Sequence, residues 1–389
     1  MIPPTAGGIS QVVSIERVEN VAQIELLEWD RLAGGDSLLS HGWFRTMEEC
    51  LVRPARRFYL TARRTEGLVA AMPLRLEDSP QIWQNLDRVL FGRFAPLAHV
   101  LPVQAVPALV CGSVACPDAA VLMRPGLPIA EREQIQRLLV ERAEHLAQTH
   151  GYTLCFRSIA AQGSSLAALL GTRGYLRARE LPICYLDLPY RSFDEYRRAL
   201  RQAHPATEKH ISWEINRGRR HGLTIEPLDN PGPYYRELHE ILELHNGRLN
   251  HMPWPYQPSF FEKVKANLRE NVVTYAARLE GRIAGVRCLY KSGERARLTM
   301  IGVSQSGRPA ALYFNLAFNS VIENCLKAGY RGAYFGLELY EMKSRRGCVQ
   351  IPLDIYLRGR NRMHQTLLAA VLPLYSRIID RKSRSGARL

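Results

Sequence analysis

The stretch Val273–Tyr290, VTYAARLEGRIAGVRCLY, decides the fold, because it contains two apolar segments joined by a Gly turn. Alternation of apolar and polar residues is typical of strands, and a short connection containing Gly predicts a β-hairpin. The same plan occurs at Phe58–Leu76, FYLTARRTEGLVAAMPLRL. Alignment of Ala62-Arg63 with Ala277-Arg278 superimposes the two hairpins, so the chain of 389 residues contains an internal repeat.

The elements on either side of the hairpins recur in the same order. A predicted Ser-capped helix with an aromatic residue at its start precedes each hairpin, at 37–51 and at 257–268. A second helix follows each hairpin, at Ala130–His150 and Leu312–Ala328, and leads through Gly-Tyr into another strand. The shared order of helix, hairpin, helix and strand predicts an α/β (α+β layered) fold in two domains.

The join between the domains is predicted near Pro182–Tyr190, PICYLDLPY, a strand bounded by prolines. Residues Ser192–Gly222 then favour helix, with Ser192 as the N-cap, Glu195 as its capping-box partner and a break at Pro205. We therefore expect an N-terminal domain, a C-terminal domain and a basic tail, with the bounds 1–190, 191–370 and 371–389.

Composition excludes several classes of protein. The eight cysteines include no CxxC pair and no Cys/His spacing typical of zinc sites, so we expect reduced, inert thiols and no metal. The N-terminal segment MIPPTAGGIS lacks the features of a signal peptide. No run of about 18 uncharged apolar residues predicts a transmembrane helix. A soluble cytoplasmic protein is expected.

The charge is divided unevenly between the halves. Residues 1–190 carry 19 Arg, no Lys and 19 Asp or Glu, whereas residues 191–389 carry 33 Lys or Arg against 18 Asp or Glu. The whole formal net charge of +15 therefore lies in the second half. An excess of this size attracts polyanions. A solvated basic face with a flexible tail is the alternative explanation.

Three segments of the second half occur in a recognisable order: SFDEYRRAL…KHISWEINRGRRHGL (192–223), LEGRIAGVRCLY (279–290) and FGLELYEMKSRRGC (335–348). Together they resemble the GNAT acyltransferase superfamily, and within it the Fem-type branch. That branch includes the peptidoglycan-bridge aminoacyltransferases and amide-forming enzymes of natural-product pathways. The resemblance covers residues 36–365. It implies two tandem GNAT-like domains, each a mixed, mostly antiparallel sheet flanked by helices, with the second as the catalytic domain.

One departure from the superfamily concerns coenzyme A. Simple GNAT enzymes hold its pyrophosphate on backbone N–H groups of a Gly-rich loop before a helix. The corresponding segment here, Val303–Leu312, keeps Gly307 and Arg308 but places Pro309 where an N–H donor is needed. We therefore expect no cofactor, with acyl-CoA as an alternative co-substrate. The long coiled-coil arm of some Fem-type ligases is also missing, because residues 191–222 are too short for it.

The resemblance also implies the chemistry, which is direct attack of an amine on an activated acyl group. Lys343 matches the Fem-type lysine that meets the donor's terminal phosphate or ester region, as an electrostatic clamp. A glutamate from 335–348 is expected to orient or deprotonate the amine, and His245 is another base. An exposed charged loop is the alternative explanation of this segment. The candidate catalytic residues are Lys343, Glu338, Glu341, Tyr340 and His245.

Further residues are candidates for binding. Aromatic and histidine side chains near the stiff segment LHNGRLNHMPWPY are expected to form a wall of an acceptor pocket, although a structural loop is the alternative. Trp213 is expected to add to this wall, whereas Tyr313 and Asn315, on the helix after the loop 303–312, are expected to face the donor, with helix surface or core as the alternative. The substrate-binding candidates are therefore Trp254, Tyr256, Trp213, His251, Tyr313 and Asn315. The candidates for nucleic-acid phosphate contacts are Lys209, Arg217, Arg219, Arg220, Arg345 and Arg346.

Three functions remain open from the residues. The first is an aminoacyl-tRNA-dependent transferase, in which the basic half holds the tRNA by phosphate contacts. The second is an acyl-CoA-dependent N-acyltransferase using the same site. The third is a non-catalytic binder of nucleic acid or a membrane surface on a GNAT scaffold. A lipid-linked precursor and a small natural-product amine are both open as acceptors.

Overall fold

The protein is described by a computed structural model over residues 12–52, 55–79, 85–92, 95, 102–112, 116, 120–250 and 253–385. The described elements of the first half are β1 (Ser14–Val18), α1 (Leu26–Ala33), α2 (His41–Cys50), β2 (Arg56–Arg64), β3 (Gly67–Glu77), α3 (Leu86–Phe91), β4 (Ala108–Cys111), β5 (Leu122–Met123), α4 (Ile129–His150), β6 (Thr153–Ala160), α5 (Ser165–Thr172) and β7 (Leu176–Asp187).

The second half begins with two helices, as predicted from the break at Pro205. The described elements are α6 (Phe193–Ala203), α7 (Pro205–Arg220), β8 (Thr224–Pro227), α8 (Tyr235–Asn250), α9 (Phe260–Leu268), β9 (Val272–Leu279), β10 (Arg282–Ser292), β11 (Arg295–Val303), α10 (312–327), β12 (Gly332–Gly336), α11 (Tyr340–Arg345), β13 (Val349–Arg358) and α12 (Arg362–Ser385). Helix α10 contains a π-helical turn at Asn315–Asn319.

The strands of the described residues form one sheet in the order β1-β2-β3-β4-β6-β13-β7-β12-β11-β10-β9-β8, with β5 paired to β3. The pairs β4-β6 and β11-β12 are parallel and the other pairs are antiparallel. The predicted fold class, a mixed and mostly antiparallel sheet flanked by helices, is confirmed.

The two halves exchange strands. Strand β13, near the end of the chain, lies between β6 and β7, while β7 itself lies between β13 and β12. The sheet therefore runs without a break across the predicted join, and the boundaries at 190 and 370 stay predictions.

The predicted hairpins form as β2-β3 and β9-β10. At the second turn Glu280 and Gly281 both have positive φ, 50° and 77°, the backbone that a two-residue type I′ turn requires. Ala62 and Ala277 each pair with a small residue of the following strand. The aligned positions are therefore equivalent in the two hairpins.

Two apolar clusters hold the sheet of the second half. Helix α10 covers one face, where Leu316 and Ile322 pack with Leu298 of β11. Helices α8 and α9 cover the opposite face through Leu242 and Phe260. Burial of an aliphatic or aromatic side chain of this size stabilises the fold by about 1.5–3 kcal/mol.

Strands β11 and β12 diverge, and this divergence creates the candidate site. They pair in parallel only over Arg295–Arg297 and Gly332–Tyr334, although β11 continues to Val303. Met300 has a positive φ of 54° and is the extra residue of a bulge opposite β10. A bulge redirects side chains and often lies beside an active site. We name the region beyond Arg297 and Tyr334, where β11 and β12 are no longer paired, the cleft.

The C-terminal helix extends into the predicted basic tail. Residues 371–385 continue α12, and Leu372, Tyr375 and Ile379 are buried against the sheet. The basic residues of this segment are therefore carried by a packed helix, because its apolar residues recur at helical spacing. Among the described helices, none is long and apolar enough to cross a membrane.

Candidate functional site

The turn after β12 has an unusual backbone. Gly336, Glu338 and Leu339 all have positive φ, at 70°, 61° and 52°. Residues other than glycine adopt this conformation at a cost of roughly 1–2 kcal/mol each. The turn reverses the chain at the cleft and starts the short helix α11.

Lys343 holds this turn closed. Its ammonium group donates hydrogen bonds to the carbonyl oxygens of Gly336 and Leu337, at 3.2 and 2.7 Å, and the side chain is buried. Burial lowers the pKa of Lys343 to about 8, and the positive charge of Arg287 adds to this lowering. The predicted clamp thus lies at the cleft as a buried cation that is still mostly protonated at neutral pH.

Tyr340 in α11 and Arg346 directly after it have structural positions. The buried Tyr340 hydroxyl donates to the Pro182 carbonyl at 3.1 Å, so this tyrosine anchors α11 to β7 and does not face the cleft as predicted. Arg346 was expected to contact phosphates, but it is buried and donates to both carboxylate oxygens of Glu214, at 2.6 and 2.9 Å. Its guanidinium also lies 4.7 Å from the Phe318 ring centre.

Asn315 belongs to the same buried network. Its amide nitrogen donates to the backbone carbonyl of Glu214 at 2.8 Å, and its side-chain oxygen accepts from Asn319 at 3.1 Å. The π-helical turn carries both asparagines toward α7, and such turns are frequent at functional sites. Asn315 therefore joins α10 to α7, and the expected contact with the donor is replaced by a packing role.

Arg287 is the residue that the sequence prediction missed. It lies on β10 opposite Ile301, next to the bulge, and only 5% of it is exposed. Its Nε is buried without a hydrogen-bond partner among the described residues. The sequence does distinguish this residue, because it is the only charged residue in the apolar run IAGVRCLY.

His245 and Tyr313 lie together, and Tyr313 lies beside this arginine. Their rings stack with centres 6.5 Å apart, and the Tyr313 hydroxyl lies close enough to raise the pKa of Arg287, although burial lowers it overall to about 10. Arg248 Nη2 lies 3.1 Å from His245 Nδ1. A guanidinium can only donate, so Nδ1 accepts and Nε2 carries the proton of the neutral ring. This arrangement occupies the lone pair that a histidine base needs.

The two glutamates differ in position. Glu338 is exposed on the strained turn, near enough to Lys343 to act on its charge. Glu341 is exposed on α11 and pairs with Arg345 at 2.5 Å across one helical turn. Glu338 is therefore the carboxylate that lies at the cleft, and Glu341 and Arg345 neutralise one another at the surface.

The predicted acceptor wall is mostly core. Trp254 and Tyr256 are buried in the cluster under α8 and α9, with ring centres 5.1 Å apart, which corrects the expectation that they line a pocket. Burial of these large apolar rings stabilises the fold more than exposure to solvent would. Trp213 is different, since 44% of it is exposed on α7. His251 lies outside the described residues.

Most of the predicted phosphate-binding residues lie on α7. Lys209, Arg219 and Arg220 are exposed, and Arg217 is half-buried. Arg217 donates from Nε to the carbonyl of Pro309 and lies 5.1 Å over the Trp213 ring. Positions 209, 213, 217 and 220 share one face of the helix, because they are spaced by whole turns. We name this face, Lys209, Trp213, Arg217 and Arg220, the α7 stripe.

The described residues contain no group of three His, Cys, Asp or Glu that could hold a metal. The eight cysteines are free and buried, and burial raises the pKa of Cys288 to about 11 and that of Cys348 to about 12. A raised pKa keeps these thiols protonated and poorly nucleophilic.

Comparison with known families matches residues 194–344 to the family described as "Acetyltransferase (GNAT) domain". The GNAT domain predicted for the second half is confirmed, since the matched range contains the hairpin, the cleft and Lys343. No curated protein matches the chain.

Solved structures share the fold over nearly the whole chain. FemX is 11% identical, with a TM-score of 0.57 over 91% of this chain and 99% of that chain. The C-terminal domain of a putative lysylphosphatidylglycerol synthetase from Agrobacterium fabrum is 13% identical, with a TM-score of 0.55 over 95% of this chain and 99% of that chain. L-PGS from Bacillus licheniformis is 14% identical, with a TM-score of 0.53 over 92% of this chain and 98% of that chain. At these identities the likeness shows the fold.

Proposed function

The chain contains a GNAT domain at residues 194–344, and from this premise we propose that it is an N-acyltransferase that uses an aminoacyl-tRNA as donor. The acceptor amine attacks the ester carbonyl carbon and a C–N bond forms. The bond to the ribose oxygen breaks, and the proton lost by the amine passes to the leaving hydroxyl. No metal or cofactor takes part in this proposal.

The α7 stripe is the observation that carries the choice of donor. It combines the exposed Trp213 ring with cations one and two turns away on the same face. Aromatic rings that stack on bases, interleaved with cations that contact phosphates, are the usual means of holding single-stranded nucleic acid. The stripe supports binding of the tRNA 3′ end.

The cleft between β11 and β12 supplies the groups for the chemistry. Lys343 is a buried cation, and an interaction of this kind with developing negative charge is strong where water is excluded. Beyond Arg297, β11 is not paired with β12, so its backbone N–H groups on that edge can also face an oxyanion. Glu338, exposed beside the cleft, is the proposed group that orients or deprotonates the amine.

The acceptor is proposed to be a lipid-linked or small-molecule amine. The printed name of the Agrobacterium relative, putative lysylphosphatidylglycerol synthetase, refers to an aminoacylated lipid, and this name supports the proposal of aminoacyl transfer to a lipid-linked acceptor. A tRNA donor is consistent with a cytoplasmic reaction, which is part of the same proposal.

An acyl-CoA donor is the alternative, and the description of the matched family as an acetyltransferase domain favours it. Against it, the loop before α10 places Pro309 at the helix entrance, and Arg217 engages the Pro309 carbonyl. A third function, non-catalytic binding of nucleic acid, predicts that replacement of Lys343 has no effect.

The test is binding of the purified chain to bulk tRNA across a salt series, with coenzyme A measured by calorimetry. The proposal predicts micromolar or tighter tRNA binding with a steep salt dependence and no coenzyme A signal. Clear coenzyme A binding with only weak retention of tRNA contradicts the proposed donor and favours the alternative.

A further inference from the structure

Four arginines are buried in the described part of the chain, and three of them share one arrangement. Arg157 donates to Glu180, Arg297 lies 2.6 Å from Asp36, and Arg346 lies 2.6 Å from Glu214. Each of the three is thus neutralised by a buried carboxylate. This is the expected state, because a buried charge without a partner costs several kcal/mol.

Arg287 is the exception. No described carboxylate pairs with it, its Nε has no described hydrogen-bond partner, and Tyr313 and Cys325 of α10 lie near its charge. Burial lowers its pKa to about 10, which leaves the guanidinium charged at neutral pH. The fold therefore keeps a buried cation whose counter-charge is missing from the described residues.

A second buried cation lies within electrostatic range. The ammonium of Lys343 uses two hydrogen bonds on backbone carbonyls and retains a third donor. It has no carboxylate within salt-bridge distance among the described residues, and the positive charge of Arg287 acts on it. Two like charges buried near each other are unfavourable unless an anion is shared between them.

We propose that Arg287 and Lys343 form a receptor for a phosphate group of a substrate, in the cleft where β11 and β12 diverge. The inference rests on the proposed function, since it names the substrate group that this site takes. A phosphate fits better than a carboxylate, because it offers more negative charge and more acceptor oxygens to two cations.

The phosphate can belong to either substrate. A donor tRNA has phosphodiester groups next to its 3′-terminal ribose. A lipid-linked acceptor has a phosphate in its headgroup. The receptor has the same chemistry in both cases, so separate probes must distinguish the sources.

The experiment measures the thermal unfolding temperature of the full chain with increasing inorganic phosphate. The wild type is compared with R287M, K343M and the control R132M, which removes an exposed arginine of α4 that has no role in the cleft. Phosphate is expected to raise Tm of the wild type and R132M, with binding at least tenfold weaker in R287M and K343M.

The unliganded state gives an independent result. Without phosphate, R287M is expected to unfold at the same temperature as the wild type or a higher one, because it removes an uncompensated buried charge. A purely structural arginine predicts the opposite. An R287M chain that fails to fold or unfolds at a clearly lower temperature, or one that keeps the wild-type response to phosphate, overturns the proposal. R287K, which retains the charge, is expected to keep part of the response.

Two further probes identify the source. Protection by the trinucleotide CCA that depends on Arg287 assigns the phosphate to the donor, whereas protection by glycerol phosphate assigns it to a lipid acceptor. The absence of protection by phosphate and by both probes overturns the inference. Phosphate binding at Arg287 without any transfer from aminoacyl-tRNA supports the receptor and contradicts only the proposed function.

Discussion

The ammonium nitrogen of Lys343 lies 2.7 Å from the carbonyl oxygen of Leu337, so the side chain of the proposed clamp folds back onto the turn between β12 and α11. The carbonyl oxygen of Gly336 accepts a second hydrogen bond, so two of the three ammonium protons are used within this turn. The arrangement fixes the ammonium in one place and leaves a single donor for a substrate. It also links the position of this charge to the strained turn between β12 and α11.

Replacement of Lys343 tests its role as a cation. Because burial lowers its pKa to about 8, the wild-type rate is expected to lose the clamp as pH rises through that value. K343R stays charged to much higher pH, so the ratio of its kcat/KM to that of the wild type is expected to rise above pH 8. Steady-state transfer rates, corrected for spontaneous ester hydrolysis, measure this ratio. If Lys343 acts as a base, the wild-type rate rises relative to K343R instead.

The same pKa predicts how stability depends on pH. In the unfolded chain this lysine binds its proton up to pH about 10.5, whereas in the folded chain it releases the proton near pH 8. The unfolded state therefore binds more protons between these values, and unfolding free energy rises there by up to about 1.4 kcal/mol per pH unit. Urea unfolding measures the unfolding free energy of the wild type and of K343M at each pH. The difference between the two isolates the contribution of Lys343 to the pH dependence. A difference that is flat from pH 8 to 10 contradicts the assignment.

The pair formed by Arg346 and Glu214 is expected to be structural. Removal of either partner leaves a buried charge, so R346M and E214Q should each lose about 3–5 kcal/mol of unfolding free energy. The double variant R346M/E214M should recover much of this loss, because both charges are then gone. Chemical denaturation measures all three, with R345Q as the matched control at the exposed neighbouring position. Equal stability of R346M and R345Q would mean that the pair does not hold α11.

Trp213 is expected to bind nucleic acid without supporting the fold. W213A should weaken tRNA binding by roughly 1–3 kcal/mol, the value of one base–aromatic stack, while W213F retains most of the affinity. Because the ring is 44% exposed, unfolding free energy should change by less than about 0.5 kcal/mol. Filter binding and urea unfolding measure the two effects. The buried Trp254 is the contrast, since W254A should destabilise the fold by about 3–5 kcal/mol.

Much of the fold could be predicted from local patterns. The hairpin at 272–292, the helix break at Pro205 and the internal repeat depend on alternation, proline and glycine, which act within a few residues. The exchange of β7 and β13 could not be predicted in this way, because it joins strands about 170 residues apart. Pairing at that separation depends on the whole sheet.

The candidate site was predicted in part. Lys343 was found because a motif surrounds it, and the structure places it in α11 with its ammonium group against the end of β12. Arg346 and Tyr340 share the same polar segment, but only the fold shows that they point inward to Glu214 and Pro182. Arg287 was missed because the segment IAGVRCLY was interpreted only as an apolar strand, and its single charged residue was given no separate role.

The most direct test of the central claim is a single-turnover measurement with radioactive aminoacyl-tRNA and acetyl-CoA offered in parallel, together with a mixture of lipid and small-molecule amines. The proposal predicts that the wild type moves the amino acid from tRNA into a hydroxylamine-resistant amide, that K343M loses at least about a hundredfold in rate, and that acetyl-CoA is not consumed. Transfer of the acetyl group with no discharge of aminoacyl-tRNA would contradict the proposed donor.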